Sequence, residues 1–415
     1  MQIILTLLSI LMLLLPLTVS AESSPEQPLR LAFLTDLHFI APELTDYGPG
    51  FMQVIENADG KATRYCDEIT DAFIEQLLLR HTDALILQGD LTFNGAIQSH
   101  QVLTGKLRRV LDAGIPVYVI PGNHDVYNRN AARFEETQFE RIPSATSDQF
   151  RSIWNDFGYS GAVSCAPDSL SYTIDLSPSI RLLMVDVNTE NHIGELTMET
   201  ARWIETQLKD AEKSHHKVIS VSHQTILSHN ILFIDGFRMT GGEQLAALYE
   251  SCGVLCNVSG HMHIQHITVS DGGLPEIVAS SVSVSPCQFG MLTVTGNQLE
   301  YYTEIIDVSA WAGRHDVQDP NLQDFKRYAS AFFASGTLRQ AAAMLQALPK
   351  EEQTHLLTYM ANLNAAYFEG NLTEFSESDP EFQTLLHMDG FWSLYLSSIR
   401  PDLSKDYTRF RHTRQ

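Results

Sequence analysis

An α/β layered fold is predicted by three features of this chain. Short apolar runs of strand length recur, amphipathic helical stretches lie between them, and chemistry-bearing residues follow directly on the runs. Leu31-Ala32-Phe33-Leu34-Thr35 is the first run and leads into Asp36-Leu37-His38. Ile69, Ala72, Phe73 and Leu77 then share one face of a helix. Ala84-Leu85-Ile86-Leu87 precedes Gly89-Asp90, and Val117-Tyr118-Val119-Ile120 precedes Gly122-Asn123-His124-Asp125. Leu196, Ile204 and Leu208 mark a further helix, after which Val218-Ile219-Ser220-Val221 leads to His223. Val254-Leu255-Cys256-Asn257-Val258 leads to Gly260-His261-Met262-His263. Unbroken apolar runs read as strands buried on both faces, and ligands of such sheets gather beyond the strands' carboxyl ends. All five polar blocks fall there.

The residue types in the blocks suit a two-metal centre for phosphoester hydrolysis. Two divalent ions roughly 3.5–4 Å apart need a shared carboxylate, and between them they acidify a bridging water to hydroxide. Asp90, isolated after Gly89 at a strand end, is the natural bridge. Asp36, His38 and His263 would complete one metal, and Asn123, His223 and His261 the other. If Gly-His-Met-His is extended, its two imidazoles point to one side and one strand end serves both ions. Gly89, Gly122 and Gly260 would allow tight turns. His124 remains as the acid that protonates the leaving oxygen or as the group that steadies the phosphoryl charge, and Asp125 could orient it.

Taken singly, most blocks have an ordinary reading. An Asp-x-His or Gly-Asp is usually a turn, a lone histidine such as His223 usually a satisfied core or surface residue, and Gly-Asn-His-Asp reads equally as a polar turn. The joint occurrence decides, because unrelated turns have no reason to follow successive strands in this order.

In that order the blocks resemble the calcineurin-like metallophosphoesterase superfamily over about residues 29 to 307. The resemblance implies a four-layer α-β-β-α sandwich of two mixed sheets, the ligand set just given, and His124 as the catalytic histidine. Where purple acid phosphatases carry an iron-binding tyrosine three residues after the bridging aspartate, this chain has Phe93. The pattern is instead similar to class III cyclic-nucleotide phosphodiesterases, and within them to secreted bacterial members with a helical C-terminal extension. Gly89-Asp90-Leu91-Thr92-Phe93-Asn94-Gly95 and Ser152-Ile153-Trp154-Asn155-Asp156-Phe157-Gly158-Tyr159 carry that similarity. One departure is Gln224, where many relatives place a second histidine.

Composition bounds the setting. An apolar run from Ile3 to Leu17, followed by small residues at Val19 and Ala21, reads as an export signal over residues 1–21. Secretion or placement in the cell envelope follows. The segment has no Lys or Arg, which leaves an uncleaved anchor as the alternative; Pro16 and a run short of ~20 residues speak against a membrane span. The net charge of -23 disfavours DNA or RNA as a polymeric partner, whereas a small phosphoester needs only the local field of the metals. Nitrogen and oxygen donors suit Mn, Fe, Zn or Co alike. Cys66, Cys165, Cys252, Cys256 and Cys287 make an odd set, so at least one stays unpaired or pairs between molecules; Cys252 and Cys256 read as buried small hydrophobes.

The catalytic domain is expected over 22–307 and a helical domain over 308–415. Leu322, Phe325, Ala329 and Phe332 form one helical stripe ending near a C-cap at Gly336; Leu356, Tyr359, Met360, Leu363 and Tyr367 form another. These stripes read as core and interface, with a cap over the active-site mouth as the functional alternative. His192, His215 and His216 read as loop residues, His229 as close enough in sequence to His223 to approach the site, and Tyr127, Arg129 and Arg133 as further candidates for substrate contact. Three functions compete. A dinuclear phosphodiesterase for small diesters, including cyclic nucleotides, is favoured; a phosphomonoesterase or nucleotidase would use the same site, and an exported metal-binding protein without turnover would have no need of His124.

Overall fold

The computed structural model describes residues 27–58 and 60–414, so the apolar segment Met1–Ala21 read as an export signal lies outside the described residues. From the amino end the elements run β1 (Leu29–Leu34), α1 (Pro49–Glu56), α2 (Cys66–Leu78), β2 (Ala84–Gln88), α3 (Ile97–Asp112) and β3 (Val117–Ile120). A hairpin, β4 (Ala132–Glu135) and β5 (Gln138–Arg141), precedes α4 (Ser147–Ile153). Then come β6 (Ser164–Cys165), β7 (Tyr172–Ser177), β8 (Ile180–Val185), α5 (Met198–Lys213), β9 (Lys217–Ser222), α6 (Gly242–Ser251) and β10 (Cys256–Ser259). The sheets finish with β11 (His266–Val269), β12 (Pro275–Val278), β13 (Gln288–Thr295) and β14 (Gln298–Ile305). Helices α7 (Val308–Arg314), α8 (Pro320–Gln323), α9 (Phe325–Ala342), α10 (Lys350–Glu369), α11 (Pro380–Leu386) and α12 (Phe391–Ile399) follow, and β15 (Arg409–Thr413) is the last element among the described residues.

Two mixed sheets result, one ordered β15-β14-β13-β1-β2-β3 and one β11-β12-β10-β9-β8-β7-β6. β1, β2 and β3 are mutually parallel, as are β8, β9, β10 and β12, so the ends that carry the polar blocks face one way in each sheet. The inner faces meet in a shared core containing Phe33 and Ile86 of one sheet and Leu182, Ile219 and Val258 of the other. Tyr172 seals it by bonding both the amide (3.0 Å) and the carbonyl (3.1 Å) of Val119. α2 and α3 cover the first sheet with Phe73, Leu77 and Leu103; α5 and α6 cover the second with Ile204, Leu208 and Leu245. This is the four-layer α-β-β-α arrangement the sequence led us to expect.

Beyond β14, the Asp307 side chain caps α7 by accepting from Ala310 N, which is the physical start of the helical region. Two expectations for this region need correction. α9 runs through Gly336 to Ala342, with Gly336 a buried position inside the helix, because packing against α10 carries the helix past it. The region is also not helical to its end, since β15 returns to pair antiparallel with β14. The stripe Leu356, Met360, Leu363 and Tyr367 packs with Phe382, Trp392 and Tyr395, and this cluster also takes in Met262, Ile264 and Val278 of the sheet region. No helix among the described residues is long and apolar enough to cross a membrane.

Candidate metal centre

The loops after β1 and β2 run side by side: Asp36 N donates to Gly89 O at 3.1 Å and His38 N to Asp90 O at 3.0 Å. Gly260 N donates to His223 O at 3.0 Å, which joins the ends of β9 and β10. At these junctions Asp36, His38, Asp90, His261 and His263 all adopt positive φ, between 47° and 66°. Left-handed backbone at non-glycine residues costs of order 1–3 kcal/mol each and persists only where the surroundings enforce it. Here it turns five side chains toward one point. Gly-His-Met-His is therefore a turn and not an extended segment, and its imidazoles separate, one to each of two groups.

Asp36, His38, Asp90 and His263 form the first group and Asp90, His223 and His261 the second, with the candidate ligand atoms of each within 4.8 Å of one another. Asp90 belongs to both. Its Oδ1 lies 3.3 Å from His223 Nε2, and its Oδ2 lies 4.0 Å from His38 Nε2. In the first group His263 Nε2 lies 3.1 Å from Asp36 Oδ1 and 3.3 Å from His38 Nε2. Asn123 shares a cavity of about 500 Å³ with Asp90, His124, His261 and His263.

Several ring nitrogens are aimed by bonds on their far side. His223 Nδ1 donates to Gln88 O at 2.8 Å, which leaves Nε2 facing Asp90. His124 Nδ1 donates to Phe93 O at 2.7 Å, which leaves Nε2 at 3.9 Å from Asp90 Oδ2. Asp36 Oδ2 accepts from Thr35 Oγ1 at 2.7 Å and from His261 N at 3.0 Å. What remains is a set of buried atoms without hydrogen-bond partners: Asp36 Oδ1, His38 Nδ1, Asn123 Oδ1 and His223 Nε2. Buried polar atoms are normally satisfied, so the unsatisfied Asp36 Oδ1, Asn123 Oδ1 and His223 Nε2 in this one region fit a place for cations.

The electrostatics agree. Burial alone would raise the Asp36 and Asp90 carboxyls, yet the neighbouring imidazoles hold Asp36 below its ordinary range and Asp90 well below it. Burial pushes His38 well down, helped by the Lys61 charge, and takes His261 down to about 4. His223 is the exception: burial opposes its charge, but Asp90 and Asp36 outweigh burial and bring it up to about 9. The carboxylates thus demand positive charge at this point, and divalent ions supply it while most of the imidazoles stay neutral. The two buried Asp/His groups that share Asp90 fit a centre for two divalent metals, their identity unspecified.

Asp125 departs from its expected role. Its carboxylate does not touch His124 but accepts from Leu91 N (3.0 Å), Thr92 N (2.9 Å), Thr92 Oγ1 (2.8 Å) and Gly122 N (2.8 Å). A buried carboxylate surrounded by amides fixes the loops after β2 and β3 to each other; the Phe93 carbonyl is what orients His124. Gly122 and Gly260 matter through close approach: a Cβ on Gly122 would strike the Asp90 carboxylate, and one on Gly260 the Thr35 hydroxyl.

Of the other candidates, His229 stays out of both groups and joins His266 at 2.9 Å and Glu276 at 3.2 Å. His192, His215 and His216 are away from the cavity, and Tyr127 uses its hydroxyl on Ser147 N. Arg129 and Arg133 do not line the cavity either; Arg141 does, with Lys61, Asn94, Phe134 and Phe237. Asn94 falls within the Gly89–Gly95 stretch, but no sequence signal marks Lys61, Phe134, Arg141 or Phe237, because hairpin β4-β5 and the segments around Lys61 and Phe237 reach the site only through tertiary packing. Gln224 pairs with Asn188 through two bonds of 2.8 and 3.0 Å and so closes its own amide. All five cysteines are free; Cys256 is buried as expected, whereas Cys252 is exposed at the end of α6.

Comparison with known proteins gives matches to two families. The one described as calcineurin-like phosphoesterase covers residues 29–265, and the one described as the C-terminal domain of cyclic nucleotide phosphodiesterase covers residues 307–406. A glycerophosphodiester phosphodiesterase GpdQ of Enterobacter lignolyticus is 30% identical over 239 residues, spanning 56% of this chain and 70% of that one. A probable cyclic nucleotide phosphodiesterase of Psychrobacter arcticus is 25% identical over 221 residues, 51% of this chain and 67% of that one. Among solved structures, a dimetal phosphatase from Danio rerio superposes with a TM-score of 0.50 at 13% identity, covering 68% of this chain and 97% of its own, a likeness of fold alone.

Proposed function

The chain belongs to the calcineurin-like phosphoesterase family, whose members are metal-dependent phosphoester hydrolases, and from that premise we propose that it hydrolyses small phosphodiesters, cyclic nucleotides among them. The observation that carries this reading is the sharing of Asp90 between two ligand groups, with His124 beside them. The diester preference is supported by the phosphodiesterase names of the relatives and by the C-terminal family match.

Asp36, His38, Asp90 and His263 would hold one ion, and Asp90, Asn123, His223 and His261 the other. When bound, such ions neutralise phosphoryl charge and acidify water to a nucleophile. The protein's own residues do the rest. The Asp90 carboxylate fixes the spacing of the two ligand groups, and its Oδ1 also accepts from His124 N at 2.8 Å, which keeps the catalytic loop in register. His124, with Nδ1–H committed to Phe93 O, presents Nε2 to the cavity. As a water oxygen bonds to phosphorus, the ester P–O bond breaks, a proton on that Nε2 passes to the leaving oxygen, and a phosphomonoester and an alcohol group result. Lys61 and Arg141 give the cavity wall the positive charge an anionic substrate requires.

The test is hydrolysis of bis-p-nitrophenyl phosphate against p-nitrophenyl phosphate by Mn²⁺-loaded protein. Diester preference is expected; a clear monoester preference contradicts the proposal.

A further inference from the structure

We infer that the helical C-terminal region provides a pocket for a planar aromatic substituent on the substrate, an inference that rests on the diesterase reading and adds the class of ester group. A second cavity, of about 300 Å³, lies between the loop of His261 and His263 and helices α10 and α12, and it shares Phe237, His261 and His263 with the catalytic cavity. A phosphoryl group at the ligand groups therefore has an ester-sized space next to it, large enough for one ring system.

The walls select a flat ring. Phe233 and Phe237 come from the loop after β9, Tyr367 from α10, and Phe391, Trp392 and Tyr395 from α12. These rings already set one another as faces and edges: Trp392 stands perpendicular to Tyr395 at 5.3 Å, Phe391 stacks on Tyr395 at 6.3 Å, and Phe233 meets Phe237 edge-on at 5.3 Å. Aromatic rings prefer offset-stacked and edge-to-face partners, so such a frame favours another ring over an alkyl chain. Of the polar side chains nearby, two are engaged elsewhere, while the Gln340 amide also lines the cavity. Asn364 bonds Thr337 and Tyr395, and Asn230 bonds Tyr367 and Ser398 at 3.0 Å each. Recognition of the ring is thus by shape and ring face, with the Gln340 amide left as the polar contact at the wall.

The pocket is also mechanically tied to the metal-ligand loop. His261 Nε2 donates to Gly236 O at 2.8 Å, and the Phe237 ring lies 5.5 Å from the His261 ring. A substituent held between Phe237 and Trp392 would fix the phosphoryl group relative to His261. The stripe that includes Tyr367 therefore serves both as core and as pocket wall.

The experiment is calorimetric binding of three phosphodiester anions, diphenyl, dibutyl and dimethyl phosphate, to the full Mn²⁺-loaded chain, repeated on Trp392→Ala and Phe391→Ala. Phe391 is 53% exposed, so its variant keeps the test open if Trp392→Ala fails to fold. Diphenyl phosphate is expected to bind about tenfold more tightly than the other two, with each substitution lowering that ratio severalfold. Equal binding of dibutyl and diphenyl phosphate would overturn the aromatic assignment, and a preference that survives both substitutions would overturn the location. Loss of the diesterase reading shows separately, as an absence of bis-p-nitrophenyl phosphate hydrolysis by the parent protein, and leaves the binding comparison to judge the pocket.

Discussion

Asp90 has two oxygens pointed at different imidazoles, so replacing it should damage both ligand groups at once. Asp90→Asn is expected to lower metal content from near two ions per chain to one or fewer and to reduce diester turnover by 10³-fold or more; plasma emission spectroscopy with a kinetic assay checks it, and retention of both ions with full turnover would contradict the bridge. His124 differs, since its ring is held by the Phe93 carbonyl and belongs to neither ligand group. His124→Ala should keep both metals while kcat falls by about 10²–10⁴-fold, the usual contribution of a positioned acid. The thiols give a third check at this scale. Burial pushes Cys66, Cys256 and Cys287 up to about 12, so they stay protonated at pH 8, while Cys165 and Cys252 are exposed. A dithionitrobenzoate titration should find two reactive thiols in the native protein and five in denaturant. The Asp and His residues that the fold gathers into two groups were legible in the sequence because such residues after apolar runs have few other reasons to recur in order. Asp125 was misread because adjacency in sequence says nothing about which donors a folded loop presents: its four partners come from three loop positions that only the fold assembles.

At the scale of elements, the site depends on strand ends that cross too closely for a side chain. Gly260→Ala would force a Cβ against Thr35 and Asp36, and overpacking of this kind typically costs about 1–3 kcal/mol. A lower melting temperature together with weaker metal retention is expected; a lower melting temperature with normal metal content would mean that the junction does not set the site. Strands β1, β2, β3 and β9 were readable because buried runs of Leu, Ile and Val have a fixed length and fixed flanks. The positive φ of Asp36, His38, Asp90, His261 and His263 was not readable, since Asp and His visit that region more often than most residues but nothing local says which of them will. Likewise, Gly336 is a reasonable helix stop by local chemistry, but packing of α9 against α10 carries the helix through it.

At the scale of the whole molecule, the helical region is built into the sheet region by apolar packing, by strand β15 and by a buried polar contact. Asp402 accepts from Tyr407 Oη at 2.6 Å and sits 3.2 Å from His266 Nε2. Burial would raise its carboxyl, but His266 and Tyr407 hold it below the ordinary range. A carboxyl depressed in the folded state stabilises above its unfolded pKa of about 4, and that stability is lost as pH falls through the lower folded value. Asp402→Asn should therefore be less stable than the parent at pH 7, by about 1–3 kcal/mol for hydrogen bonds to a charged group, and the gap should narrow below pH 4 in denaturant titrations. A gap independent of pH would assign the loss to packing. That the last strand returns to β14 was not legible, because a five-residue polar edge strand lacks a buried face to pattern it. The central claim, that one chain assembles two metals around Asp90 to cleave phosphodiesters, is tested most directly by stripping the intact protein of metal and titrating Mn²⁺ back while following both bound ions and bis-p-nitrophenyl phosphate hydrolysis. The expected result is activity that rises to a plateau at two ions per chain; full activity in the metal-free protein, or a plateau without bound metal, would contradict it.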